Sequence, residues 1–110
     1  MQKETALKIR VLRRLKAIPN VWLLKTQEIA RSGTPDILMC LGGKFVALEL
    51  KTDEGVVSKL QEYNLTKIQE SGGIAIILTP SNLDSSIQFL ANLTKGEKSG
   101  KRSGHKKCGK

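Results

Sequence analysis

The sequence predicts a mixed α/β fold, one four-stranded sheet flanked by helices, on three observations. Gly42-Gly43 separates two apolar runs as the centre of a tight β-hairpin. From Phe45 to Thr79 the pattern reads strand, helix, strand, a right-handed crossover whose second strand lies parallel to its first. Apolar stripes at helical spacing stand near both ends, over 3–18 and from Ser81 or Asn82 to about Thr94. The resulting order is α-β-β-β-α-β-α. A chain of 110 residues has room for one core of this kind and no second folded unit.

Each element has its own signal. In the first helix Ala6, Ile9, Leu12, Leu15 and Ile18, with Leu7 and Val11 beside them, form the apolar stripe, and basic residues cover most of the rest. Pro19-Asn20 ends it. Val21 to Thr26 follows as a strand, with Trp22 expected in the core or an interface. Gln27 to Thr34 is a polar connection in which Arg31, Ser32 and Gly33 suit a loop near a phosphate. Pro35, lacking an amide donor, suits the start of the strand Asp36–Leu41. Phe45–Lys51 is its hairpin partner. The loop Thr52–Val57 carries Asp53 and Glu54, either spare metal ligands or simply wet loop residues. Ser58 and Gln61 fit a capping box opening a helix to about Ser71, with Leu60, Leu65, Ile68 and part of Tyr63 inward. Gly72-Gly73 ends that helix. Ile74–Thr79 is continuously apolar, as expected of a strand buried on both faces. In the last helix Leu83, Ile87, Leu90 and Leu93 face inward.

The hairpin holds charges where apolar residues are expected. With two turn residues, Leu41 faces Lys44, and counting back along the ladder sets Asp36 opposite Glu49. Directly opposed side chains have Cβ atoms about 4.5–5.5 Å apart, where like charges repel. A divalent cation between the two carboxylates is the simplest compensation. Lys51 shares the face of Glu49, while Val46, Leu48 and Leu50 point the other way. A three- or four-residue loop would shift this register and separate the acids.

Composition narrows the function classes. No run approaches 18 apolar residues, so no membrane span is expected. The opening MQKETALKIR lacks the apolar stretch of a signal peptide. Two cysteines, Cys40 and Cys108, make no disulfide framework, and a cytoplasmic setting is expected. His105 and Cys108 are too few to close a zinc site. The net charge is +9, of which residues 95–110 carry +6 and the first 94 residues only +3. The organisation expected is therefore a folded domain over 1–94 and a basic flexible tail over 95–110. Such a tail favours a polyanionic partner, nucleic acid above all, through Lys101, Arg102, Lys106 and Lys107 with Arg31 in the loop. A basic terminus that merely aids solubility is the bland alternative.

Gly33-Thr34-Pro35-Asp36, then Glu49-Leu50-Lys51, then Ser58-Lys59-Leu60-Gln61 resemble the PD-(D/E)xK nuclease superfamily, and within it the VRR-NUC family of stand-alone viral type. The resemblance runs from the first helix to Thr79. It implies a restriction-endonuclease-like αβββαβ core with a C-terminal helix added. It also implies Mg²⁺- or Mn²⁺-dependent cleavage of DNA, with branched structures such as Holliday junctions cut by homodimers, no organic cofactor, and a host-cell cytoplasm if the chain is viral. Matched by position, Asp36 and Glu49 would ligate the metal with the Leu50 carbonyl, and Lys51 would orient or help deprotonate the attacking water. Glu4 matches the helical glutamate of the family, and Gln61 its helical glutamine. The alternative reading of each is structural, Glu4 favouring a helix N-terminus and Gln61 capping. Rival readings are a non-catalytic basic DNA-binding module and a nuclease acting on linear duplex.

Overall fold

Gly42 and Gly43 take φ of 59° and 78°, the paired positive values of a type I′ turn, and Leu41 pairs with Lys44 across them. The register therefore follows the two-residue loop. The structure is a computed structural model that describes residues 3–26 and 32–95, with the side chains of Lys3, Glu4 and Lys95 outside the description. Its elements are α1 (Lys3–Lys16), β1 (Val21–Lys25), β2 (Ile37–Leu41), β3 (Lys44–Leu50), α2 (Lys59–Glu70), β4 (Ile74–Leu78), a single 3₁₀ turn over Pro80–Asn82, and α3 (Leu83–Lys95).

The strands lie in the order β1-β2-β3-β4. The first two pairs are antiparallel, and β3 and β4 are parallel, as a crossover through α2 requires. Strand alternation sorts the side chains onto two faces. Ile37, Met39, Leu41, Val46, Leu48, Leu50 and Leu78 point to one face and are buried. There they meet Leu7, Val11, Leu15 and Ile18 around α1 and Leu83, Ile87 and Leu90 of α3 in one core. The opposite face holds Trp22, Cys40, Phe45, Ala47 and Glu49, and α2 lies over its β3–β4 side.

Several details depart from the sequence expectation. The stripe of α1 centres on Leu7, Val11 and Leu15, while Ile9 is exposed, because the helix is rotated so that the i, i+4 row meets the sheet. In α2 only Leu65 is fully buried; Leu60 and Tyr63 are exposed because the helix rests on one half of the sheet face. β4 is an edge strand, and its Ile77 is exposed, so it is not buried on both faces. Trp22 is 61% exposed, since β1 is the other edge and, among the described residues, no helix covers its outward face. Among the described residues no helix is long and apolar enough to cross a membrane.

Candidate active site

Ile37 pairs with Leu48, both in the core, so the next step along the ladder sets Asp36 against Glu49 on the face that carries α2. Asp36 lies just before β2, and its Oδ2 accepts the Leu50 backbone N–H at 2.9 Å. That bond ties the acid at the start of one strand to the end of its neighbour. A hydrogen bond to a charged acceptor is shorter and stronger than a neutral one, so it holds the carboxylate in one orientation.

Glu49 is only 2% exposed, which for a carboxylate demands compensation. Gln61 Nε2 donates to its Oε2 at 2.7 Å, and the Lys51 ammonium stands 3.7 Å from the same oxygen. The other oxygen, Oε1, is buried and accepts no hydrogen bond among the described residues. The Lys51 side chain is itself 17% exposed, and Gly55 lies close along its stem, so a side chain there would press on Lys51 Cβ and Cδ.

Gln61 reaches Glu49 because of how α2 begins. Ser58 Oγ accepts the Gln61 N–H at 3.1 Å, and Gln61 Oε1 accepts the Ser58 N–H at 2.8 Å, a complete capping box. The amide oxygen is used by the cap, which leaves Nε2 for the carboxylate. One side chain thus caps the helix and reaches the Glu49 carboxylate, with different atoms.

Asp36 is positioned by contacts that sequence reasoning missed. The buried Thr26 donates its hydroxyl to the Pro35 carbonyl, and its N–H to the Asp36 carbonyl at 3.0 Å. Asn64, one turn beyond Gln61, donates Nδ2 to the Gly33 carbonyl at 3.0 Å. Gly33 has φ of 81°, and a Cβ on it would lie 2.5 Å from Leu60 Cγ and 2.8 Å from Asn64 Nδ2. The glycine is therefore required twice, by conformation and by the close approach of α2. The spacing of Asn64 three residues after Gln61 was the available signal, because both then share a helix face.

Other candidate residues stand apart. Asp53 Oδ1 accepts both the N–H and the hydroxyl of Ser81, at 3.2 and 2.7 Å, so it fastens the loop after Lys51 to the 3₁₀ turn. That interaction accounts for Asp53 structurally. The Glu4 side chain, Arg31, and the tail residues Lys101, Arg102, Lys106 and Lys107 lie outside the described residues.

The donor chemistry fits a small hard cation. Among the described residues no group of three or more His, Cys, Asp and Glu converges, and the oxygens that could meet a cation here are the two carboxylates of Asp36 and Glu49 with the neighbouring Leu50 carbonyl. Mg²⁺ is commonly held in this way, by one or two carboxylates with several waters retained. Among the described residues, soft-metal ligands are missing from this face of the site except for Cys40, four residues along β2 from Asp36.

No family model matches the chain, and no curated protein matches it either. A solved structure described as a VRR_NUC domain superposes on 80% of this chain and 97% of its own length, with a TM-score of 0.68 and 21% sequence identity. At that identity the likeness is one of fold: the chain has the αβββαβ architecture of a VRR_NUC domain, with the mixed four-stranded sheet and the C-terminal helix in place.

Proposed function

We propose that this protein is a metal-dependent endonuclease that hydrolyses DNA phosphodiester bonds, acting as a homodimer on branched DNA such as four-way junctions. The observation that carries the reading is the placement of Asp36 and Glu49 side by side on one sheet face with the Lys51 amine 3.7 Å from Glu49. A module that only binds DNA has no use for paired acids, which repel phosphate. The likeness to a VRR_NUC domain supports the same reading.

In this mechanism Asp36 and Glu49, with the Leu50 carbonyl, would hold Mg²⁺ or Mn²⁺, which when bound would neutralise charge at the phosphate oxygens and lower the pKa of the attacking water. Lys51 orients that water and steadies the negative charge that builds on the phosphoryl oxygens in the transition state. Gln61 keeps the Glu49 carboxylate in one rotamer, so the ligand set is assembled before substrate arrives. Two matched cuts in a symmetric junction call for two copies related by a two-fold axis.

The test presents purified protein with junction, flap and linear duplex DNA, in Mg²⁺, Mn²⁺ or chelator, alongside Asp36→Ala and Lys51→Ala. Metal-dependent cuts near the branch point are expected, lost in both variants while DNA binding survives. Variants that cut as well as the parent would show that the site is misassigned. Equal cutting of linear duplex would remove the junction preference and leave the chemistry.

A further inference from the structure

The sheet face that carries the acids is only half covered. Helix α2 packs over β3 and β4, and among the described residues no helix packs on the face of β1 and β2. Trp22, Cys40 and Phe45 form one row across three strands, because Trp22 pairs with Cys40 and Cys40 with Phe45. Trp22 is 61% exposed, Phe45 46%, and Leu24, next on the same face of β1, 41%. These three side chains leave roughly 300 Å² of apolar surface in water, a patch of the size that on monomers is often functional.

Beside Phe45, on its β4 side, is an open cleft of about 430 Å³ lined by Asn64, Lys67, Ile68, Ser71, Gly72 and Gly73. One surface thus presents a protruding indole and, two strands away, a recess with an apolar wall. We infer that this face is the contact between two copies of the chain, Trp22 of each entering the cleft beside Phe45 of the other. A two-fold axis along β2 at Cys40 exchanges the two positions, which is the self-complementary condition a symmetric dimer must meet. Small Cys40 at the centre of the row leaves room for the large side chains on either side.

Charge decides between a second copy and nucleic acid as the occupant. Trp22, Leu24, Cys40 and Phe45 are themselves uncharged, and Lys67 on the cleft rim is within 3.7 Å of Glu70. A strand of DNA would find aromatic surface there without counter-charge for its phosphates. Two chains of net charge +9 repel over most of their surfaces, so a neutral apolar face is where they can meet. The patch covers less than half of the about 800 Å² per partner that stable dimers bury, and the cleft and the α2 wall add to it. Phe45 is four residues from Glu49, about 13 Å along β3, so a contact at the hairpin end leaves the acids open to substrate. This inference gives a surface to the homodimer of the proposed function. Its test is independent of cleavage.

Trp22 is the only tryptophan in the chain, so its emission reports on this contact alone. Sedimentation of the full chain is measured over a concentration series together with the emission maximum, for the parent, Trp22→Ala and Phe45→Glu. Circular dichroism confirms that each variant is folded. The parent is expected to dimerise with a blue shift that tracks the dimer fraction. Phe45→Glu should raise the dissociation constant about thirtyfold or more and keep the emission red. The inference is overturned if the parent stays monomeric at every concentration, or if the dimer persists in both variants. Quenching of Trp22 in a monomer by single-stranded DNA would also overturn it and assign the face to nucleic acid.

Discussion

Gln61 Nε2 donates to Glu49 Oε2 at 2.7 Å while the same side chain completes the capping box of α2 with Ser58. The start of a helix and the orientation of a buried carboxylate are thus one structural unit. Gln61→Ala should cost about 1 kcal/mol of stability through the lost cap. It should also lower metal-dependent cleavage about 10- to 100-fold, the usual effect of removing a partner that orients a metal ligand. Gln61→Glu separates the two roles. It keeps an acceptor for the Ser58 N–H but sets a second carboxylate against Glu49, so thermal stability should recover more than activity does. Equal recovery of both would mean that the Glu49 contact has no role in cleavage.

Gly33 and Gly43 offer a controlled comparison. Both have positive φ, but a Cβ at Gly43 would meet nothing within 4 Å, whereas at Gly33 it would collide with Leu60 and Asn64. Gly43→Ala should cost only the left-handed backbone strain, about 1–2 kcal/mol. Gly33→Ala should cost visibly more in chemical denaturation and should impair cleavage, because the loop that carries Asp36 is pushed off α2. Similar losses for the two would refute the close-approach argument.

Thr26 holds the approach to Asp36 through its hydroxyl bond to Pro35. Thr26→Val keeps shape and removes the donor, leaving a carbonyl unpaired in a buried segment, a loss of about 1–3 kcal/mol. Thr26→Ser keeps the donor and should lose less. Urea midpoints of the two variants distinguish them, and an identical pair would show that the hydroxyl contributes nothing.

A cation that binds the folded chain alone must stabilise it. Mg²⁺ at a hundred times its dissociation constant should add about 2.7 kcal/mol, read as a rise in Tm against chelator. The rise should vanish in Asp36→Asn, which keeps the side-chain shape and loses the charge. A rise that survives in this variant would put the cation elsewhere.

Removing everything after Thr94 takes away most of the positive charge, since residues 95–110 carry +6 of the net +9. DNA affinity should fall, and the slope of log K against log salt should flatten as fewer phosphates are neutralised. Cleavage chemistry under saturating DNA should persist. An unchanged salt slope would exclude the tail as a phosphate contact.

How far the sequence reaches follows from the range of each interaction. The hairpin register was legible because Gly42-Gly43 leaves a two-residue turn little choice, and strand alternation then places Asp36, Glu49 and Lys51 on one face. The capping box of Ser58 and Gln61 was legible for the same reason, since its partners are three residues apart. The packing of whole faces was not. That α1 turns Leu7, Val11 and Leu15 inward, that α2 covers only half the sheet, and that Trp22 stands in water depend on which layers meet. The contacts from Thr26 to Pro35, from Asn64 to Gly33 and from Gln61 to Glu49 join residues 9, 31 and 12 positions apart. Local pattern determined which side chains share a face, because backbone geometry repeats every two residues in a strand. Only the folded chain decided which distant groups hold them there, because hydrogen bonds between loops and helices have no period to betray them.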